Sequence, residues 1–452
     1  MSIAEARPAE SGSAAKNVAI VGASAAGVSA AVELRRRGFL GEITLVDKDC
    51  RTPYERPPLS KSIIDSEGDG LRPIVPEITY AEYGIELVLG QEVTRIDPDR
   101  GELVLDSGEV RQADDIVLAT GVSARPLDVP GANLPGVLLL RDAADASALR
   151  NRLDQTRRVV IVGAGFIGLE LAALMRGLDI DVTVVDIAGG PLVHAFGEEI
   201  GELIRRLHED RGVTFRFGTG VSRVAGRSAV EGIVLTDGSA LRADLVVSGI
   251  GVVPRTELAR AAGVVVDEYG IVVDSCGRTS HPHVYACGDV ASQPHPSLPA
   301  PGRIEHWDTA MKHGAAVGAT IAGQPTPFTD LPYAWSDQYD LTLQYFGRRQ
   351  AGDTFILRDG STPSRFLAFW FRGSVMSAVL GCDMRREVGI ARRLIGAGRP
   401  LDPAAFAAAD LDLKAIHRPA TMQTRTKPLG PVAGSTSPST PVRDPTTKER
   451  AS

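Results

Sequence analysis

Two stretches of the chain repeat one pattern of apolar and polar positions. Val18, Ala19, Ile20 and Val21 form an unbroken apolar run of strand length, Gly22 and Gly27 flank a turn, and Ala30 and Leu34 continue at helical spacing until Gly38 offers a C-cap. EITLVD, residues 42–47, reads as the next strand. Residues 159–186, VVIVGAGFIGLELAALMRGLDIDVTVVD, repeat the plan. There Gly163, Gly165 and Gly168 complete the G-x-G-x-x-G spacing, whereas the first copy has Ser24 in place of the middle glycine. A helix that starts directly after such a turn presents unpaired backbone N–H groups and the positive end of its dipole. It can hold a pyrophosphate if the side chains at the turn are small. The repeat therefore predicts two dinucleotide-binding halves and two separate dinucleotides.

The rest of the pattern fits around these halves. ADDIVLATG (113–121) reads as a buried strand ending in a turn, and Arg125, Pro126 and Pro130 mark a crossover into the second nucleotide domain. GIGVVPRTELA (249–259) brings the chain back to the first, and YACGDV (285–290) supplies another strand, turn and helix start, with Asp289 near a helix N-terminus. From Asp330 the periodicity changes to short alternating strands, LTLQYFG, TFILRDG and FLAFWFRG, an antiparallel sheet closed by the helix EVGIARRLIGAG. The fold class expected is α/β: two Rossmann-type dinucleotide-binding domains and a C-terminal α+β domain. The first nucleotide domain is discontinuous, 15–122 and 256–328; the second spans 123–255 and the C-terminal domain 329–417. Residues 418–452 turn to Pro, Ser, Thr and Gly and are expected to be disordered.

Composition narrows the function classes. A length of 452 residues implies two or three domains, and a formal net charge of -7 argues against nucleic acid as a main partner. No apolar run reaches membrane-spanning length and the N-terminus lacks the build of a secretory leader, so no membrane partner and a cytoplasmic location are expected. Cys50, Cys276, Cys287 and Cys382 are widely spaced, with no C-x-x-C, and read as reduced thiols. Disulfide-reductase chemistry has no cysteine pair to run on, and no metal site is expected.

Two strand ends and one loop carry the candidate chemistry. The strand 42–47 ends where a carboxylate accepts hydrogen bonds from a ribose, with Asp47 and Asp49 as candidates and Lys48 between them. The second copy ends at Asp186, and the following Ile187, Ala188, Gly189 and Gly190 include no cation for a 2'-phosphate, which favours NADH. CRTPYERPPLSK (50–61) is pinned by Pro53, Pro57 and Pro58 as an extended segment. It can lie along a ligand with Arg56 and Lys61 as cations, or serve as a rigid connection whose cations are merely solvated.

PYERPPLSK, GAGFIGLE (163–170), GIGVVPRTELA, YACGDV, RIEHW (303–307) and WSDQYDLTLQYFG (335–347) together resemble the FAD-dependent ferredoxin reductases of bacterial oxygenase systems, from about Val18 to about Ile416. The resemblance implies a glutathione-reductase-like architecture with FAD in the first nucleotide domain and NAD in the second. It implies an electron path from NADH through FAD to a two-iron ferredoxin that feeds a cytochrome monooxygenase or a Rieske-type dioxygenase. Toward FAD it points to Gly22, Ser24, Ala25, Ala26 and Gly27 of the first turn, Val93, the Ala119–Thr120–Gly121 turn, Arg141, Gly288 and Asp289. Glu305, His306 and Trp307 fall beside the flavin ring. Toward NADH it points to Gly163, Gly165, Phe166, Ile167, Gly168, Asp186, Gly249, Ile250 and Gly251. By direct register the family's acidic ribose residue falls on Lys48, so Asp47, Lys48 and Asp49 all stay open. Relatives pair the lysine of PPLSK with the glutamate after the last glycine, which makes Lys61 and Glu170 a pair at the hydride-transfer centre.

Arg303, Lys312, Arg348 and Arg349 lie in or next to motifs expected around the flavin edge, where they could steer an acidic ferredoxin. Two other readings fit parts of the pattern. One is an NADH oxidase or peroxidase using Cys50, although PYERPPLSK stands where that group carries its cysteine motif. The other is a redox-sensing flavoprotein resembling apoptosis-inducing factor, with binding as its output.

Overall fold

Both apolar runs become the central strands of parallel sheets. In the computed structural model, which describes residues 16–61, 70–362 and 364–417, Val18–Val21 lies between Ile43–Asp47 and Asp115–Leu118, with Ile85–Leu89 and Val284–Ala286 at the edges. Arg158–Val162 lies between Asp181–Asp186 and Leu245–Ser248, flanked in turn by Thr214–Phe217 and Val137–Leu139. A strand buried on both faces has no polar side to alternate with, which is why these runs are continuously apolar.

The glycines after the two central strands do the same steric work in both halves. Gly22 and Gly163 sit at φ 109° and 110°, and a Cβ would come within 2.3 Å of the Ala119 carbonyl oxygen and 2.4 Å of the Gly249 oxygen, respectively. A Cβ on Gly27 or Gly168 would meet the carbonyl oxygen of the first glycine at 1.9 Å or 2.0 Å. Only glycine lets each helix, Ala25–Arg36 or Phe166–Gly177, begin directly on its turn.

The first helix is held from outside by a helix that the sequence reading did not anticipate, Trp307–Ile321. Gly314 and Gly318 bring the two backbones into contact, since a Cβ there would lie 2.1 Å from the Ala26 oxygen and 2.5 Å from the Ala30 oxygen. This close packing sets the position of Trp307 and of His306, which precedes the helix. The chain crosses between the nucleotide halves twice, and the crossing segments Val122–Ala124 and Val252–Pro254 pair antiparallel.

The expected strands of the third sheet are joined by two more. The order is Tyr333–Gln338, Leu341–Gly347, Val375–Cys382, Arg365–Arg372 and Thr354–Thr362, all antiparallel, and the helix Arg385–Ala397 packs on Val375–Cys382. Leu343, Trp370 and Leu380 from this sheet share a core with Leu169, Phe196, Ile200 and Ile204 of the second nucleotide half. That shared core seats Tyr333–Gln338 against the helix that carries Glu170.

Two local expectations are corrected. PPLS is a 3₁₀ turn, Pro57–Ser60, and not extended, because a proline is accommodated in the first turn, where its missing N–H has no partner to lose. YACGDV closes in a three-residue turn, Gly288–Val290, so Asp289 is not at the start of a longer helix. Asp412–Ser452 forms a separate unit, of which residues 412–417 are described, and the tail expected over 418–452 lies outside the described residues. Among the described residues no helix is long and apolar enough to cross a membrane.

The fold holds three histidines neutral. His313 is fully buried, accepts the Gly288 N–H at 3.2 Å and stacks on Phe328, and burial pulls its pKa down to about 3. Burial likewise pulls His208 and His306 to about 4. Because all three pKa values are depressed, the stability they contribute is complete above the unfolded-state value of about 6.5 and is lost as pH falls toward 4 and then 3. Unfolding free energy should therefore decline below about pH 6.5, by about 1.4 kcal/mol per pH unit for each histidine that must charge. Urea titrations at a series of pH values would show it, and a flat profile between about pH 6.5 and 4.5 would contradict it.

Candidate active site at the seam of the nucleotide halves

The two glycine turns open into one cavity of about 980 Å³. From the first half it is lined by Gly22, Ser24, Ala25, Ala26, Asp47, Lys48 and Val93, and by the Ala119–Thr120–Gly121 turn with Arg141. Arg56 and Lys61 reach it from the proline-rich segment, and Asp289, Glu305, His306 and Trp307 close one side. From the second half come Gly165, Phe166, Ile167, Glu170, Gly249 and Gly251. Gly27, Asp49, Gly163, Gly168, Asp186, Ile250 and Gly288 are not in its wall. Gly27, Gly163 and Gly168 act through the backbone packing described above.

The middle position of each turn is where a ligand can approach. A Cβ on Gly165 would meet nothing within 4 Å, unlike one on Gly163 or Gly168. Neither helix start is capped by a side chain at Ser24 or Gly165, so the first N–H groups remain available to an anion. Each half closes its turn with an aspartate. The Ala23 N–H donates to Asp47 at 2.6 Å and the Asp49 N–H at 2.9 Å; the Ala164 and Ala188 N–H groups donate to Asp186 at 2.6 and 2.8 Å. Lys48 lines the cavity 3.6 Å from Glu92. Asp49 turns away to Arg51 and Tyr54, which leaves Asp47 and Lys48 as the ribose candidates facing the cavity.

Four buried polar atoms of the described wall residues lack a partner in the protein: Asp289 Oδ1, Gln91 Oε1, Ser248 Oγ and His306 Nδ1. Buried polar groups are nearly always satisfied, so such atoms mark positions a polar ligand completes. The other Asp289 oxygen accepts from Arg141 at 3.4 Å, and the Arg141 carbonyl accepts from Arg56 at 3.3 Å. Burial raises the Asp289 pKa, with Arg141 opposing, and burial lowers that of Arg141. A carboxylate with one free oxygen beside a guanidinium suits the polyhydroxyl and phosphate chemistry of a flavin dinucleotide. An uncapped helix start facing open space suits a second one.

Lys61 and Glu170 do come together. Glu170 is 6% exposed; the Ser60 hydroxyl donates to one carboxylate oxygen at 2.5 Å and the Ser336 hydroxyl to the other at 2.7 Å. Lys61 Nζ stands 3.5 Å from Glu170 and 2.8 Å from Asp337, and 5.3 Å over the Trp335 ring. Burial raises the Glu170 pKa, while Lys61 and the two serines pull the other way. The Trp335 N–H donates to His306 Nε2 at 3.3 Å. Of these neighbours, Ser336, Asp337 and Trp335 belong to WSDQYDLTLQYFG, but only the register of the third sheet shows which of them face Glu170. Gln91 and Ser248 gave no sequence signal, and Arg255, which also lines the cavity, lies within GIGVVPRTELA but was not singled out.

The matches with known proteins follow this geometry. Residues 16–314 match the family model described as pyridine nucleotide-disulphide oxidoreductase, and residues 333–417 match one described as reductase C-terminal. The chain belongs to the pyridine nucleotide-disulphide oxidoreductase family. It is 37% identical over 403 residues to the rhodocoxin reductase of Rhodococcus erythropolis, covering 88% of this chain and 93% of that one. It is 34% identical to the benzene 1,2-dioxygenase system ferredoxin–NAD(+) reductase subunit of Pseudomonas putida, over 89% of this chain and 98% of the relative. A solved covalent complex of putidaredoxin reductase with putidaredoxin superposes with a TM-score of 0.84 at 33% identity, over 89% and 98% of the two chains.

The family's name invokes a disulfide, but all four cysteines here are free. Cys287 lines the cavity and burial pushes its thiol up to about 12, which makes it a poor nucleophile; Cys50 is exposed and outside the wall. The four cations expected at the flavin edge are not in the wall either. Arg303 bonds Glu305 and the Tyr269 carbonyl, Lys312 pairs with Asp308 and Asp330, Arg349 is spent on the carbonyls of Val193, His194 and Ala195, and Arg348 is exposed.

The contrast between the glycines is testable. Gly163→Ala should cost about 2 kcal/mol or more of stability, through the positive φ and the clash with Gly249. Gly165→Val should leave stability within about 1 kcal/mol of wild type yet abolish NADH binding in a fluorescence titration. Equal loss of stability in both, or undiminished binding by Gly165→Val, would contradict this assignment.

Proposed function

We propose that this protein is an NADH:ferredoxin oxidoreductase that passes electrons from NADH through FAD to a two-iron ferredoxin serving a cytochrome monooxygenase or a Rieske-type dioxygenase. The observation that carries it is one cavity in which two uncapped glycine turns converge on Lys61 and the buried Glu170. The relatives named above supply the acceptor class, since their names specify rhodocoxin, ferredoxin and putidaredoxin systems. FAD, when bound, accepts a hydride and returns electrons singly, which joins a two-electron donor to a one-electron iron–sulfur partner.

The protein's own residues bind and orient. Residues 15–122 and 256–328 form the FAD-binding part in this reading, with Ser24 and Ala25 at the pyrophosphate, Asp47 or Lys48 at the ribose, and Arg141 and Asp289 at the flavin chain. Residues 123–255 take NADH on Gly165, Phe166 and Ile167, with Asp186 toward the adenosine ribose. Ionised Glu170 holds Lys61 beside the place where the two rings stack, and Trp307 and Trp335 exclude water from it. No side chain acts as a nucleophile. Cys50 lies outside the cavity wall, which argues against the cysteine-dependent oxidase reading. A cytoplasmic location suits four free cysteines and the nicotinamide supply, and cell fractionation tests it.

Purified FAD-loaded protein should reduce two-iron ferredoxins with NADH faster than it reduces oxygen. Asp186 without a following cation should favour NADH over NADPH by roughly tenfold to a hundredfold. Equal efficiency with both nicotinamides overturns the Asp186 assignment. Slow reduction of every ferredoxin tried, with a long-lived NADH complex, supports the redox-sensing alternative.

Lys61→Ala and Glu170→Ala should each slow flavin bleaching by NADH in stopped-flow by roughly tenfold or more, because a near-attack geometry tolerates little displacement. The acid limb of that rate should lie above the ordinary carboxylate range, since burial raises the Glu170 pKa and protonation there releases Lys61. Unchanged rates in both variants would reduce the pair to a structural role.

A further inference from the structure

A buried line of hydrogen bonds runs away from Glu170 through the third sheet to the helix Glu198–Glu209, and the orientation of the Gln338 amide sets the donor order along it. The Ser336 hydroxyl donates to Glu170 at 2.7 Å, and Gln338 Nε2 donates to the Ser336 oxygen at 3.1 Å. The Gln338 carbonyl oxygen lies 2.9 Å from His208 Nε2, and a carbonyl cannot donate, so Nε2 carries the proton. Neutral His208 then presents Nδ1 as an acceptor, which the Tyr339 hydroxyl meets at 3.0 Å. Ser336, Gln338 and His208 have no exposed surface.

The far end of the line is built at a cost. Tyr339 occupies the first turn position after Gln338 at φ 58°, where glycine is the usual choice. Arg211 stacks on its ring at 4.6 Å and bonds Asp340 at 3.1 Å, so the strained turn is held with its hydroxyl on His208.

We propose that His208 and Gln338 are positioning residues for Glu170: the Nε2–H tautomer of His208 sets the Gln338 amide so that the Ser336 hydroxyl hydrogen is directed onto the carboxylate. Were the amide reversed, its carbonyl would face Ser336 and take that hydrogen, and Glu170 would lose one of its two hydroxyl donors. The line therefore holds Glu170 ionised and in place from a site that touches neither nucleotide. This rests on the reading of Glu170 as part of the hydride-transfer centre. The charged groups facing Glu170 are Lys61 and Asp337; Arg211 faces His208, and Arg211 and Arg176 face Tyr339.

The test compares the FAD-loaded wild type with His208→Leu, His208→Gln and Tyr339→Phe. One readout is the pH profile of flavin bleaching by NADH. The other is the infrared carboxyl band of Glu170, assigned by its loss in Glu170→Gln and followed against pH without NADH. Losing a hydrogen bond to the ionised form favours protonation, so in His208→Leu the acid limb and the band should both move to higher pH, by about half a unit or more. Tyr339→Phe, which keeps the ring and its packing, should move them the same way but less. His208→Gln retains a donor near the Nε2 position and should follow wild type.

If His208→Leu does not fold, Tyr339→Phe decides. Wild-type profiles in both His208→Leu and Tyr339→Phe, or a shift in His208→Gln as large as in His208→Leu, would overturn the proposal. Wild-type protein that NADH fails to bleach, with the carboxyl band still moving in the variants, would instead refute the functional reading and leave the positioning role standing.

Discussion

Placing a carboxylate among apolar residues is the costliest single feature of this site. Taking one ion out of water costs several kcal/mol even after relaxation, and the cost is met only by a counter-charge together with hydrogen bonds to the remaining lone pairs. Glu170 receives Ser60 from the proline-rich turn, Ser336 from the third sheet and the Lys61 ammonium beyond them. Two segments far apart in sequence must therefore meet at one residue of the second nucleotide half. The core shared by Leu169, Phe196, Trp370 and Leu380 brings the third sheet into that position. The C-terminal sheet is in this sense part of the site and not an appendage to it.

The same logic explains the repeated half. A turn that must touch the neighbouring strand's carbonyl and still start a helix leaves no room for a Cβ at its first and last positions, and evidence for that constraint recurs at Gly22 and Gly27 and at Gly163 and Gly168. The aspartates that tie each turn, Asp47 and Asp186, bond the backbone through the same pair of N–H positions. At the middle position, where a Cβ on Gly165 meets nothing within 4 Å, the first half carries Ser24.

Steric constraints of that kind are legible in a sequence because they allow a single residue type. The two nucleotide folds were readable for this reason, the sheet with its closing helix was readable from its alternating strands, and most residues of the cavity wall came through the resemblance to the ferredoxin reductases. What depends on register was not. Ser336 and Asp337 are consecutive, and only strand pairing sends the first onto Glu170 and leaves the second for Lys61. Asp47 and Asp49 were indistinguishable until Tyr54 and Arg51 were seen to hold the latter. The helix Trp307–Ile321 could have been suspected from Gly314 and Gly318, whose spacing suits close helix contact. Arg349, near a motif in sequence, bonds the backbone carbonyls of Val193 and Ala195 in the second nucleotide half, a contact no local pattern announces.

The central claim is that two dinucleotides share one cavity and meet beside Lys61 and Glu170. A crystal structure of the FAD-loaded protein with NAD+ bound tests it most directly. The account predicts a flavin chain hydroxyl on Asp289 Oδ1, a pyrophosphate at Gly165, and the nicotinamide stacked on the flavin next to Lys61. A nicotinamide outside this cavity, or rings meeting away from Lys61 and Glu170, would contradict it.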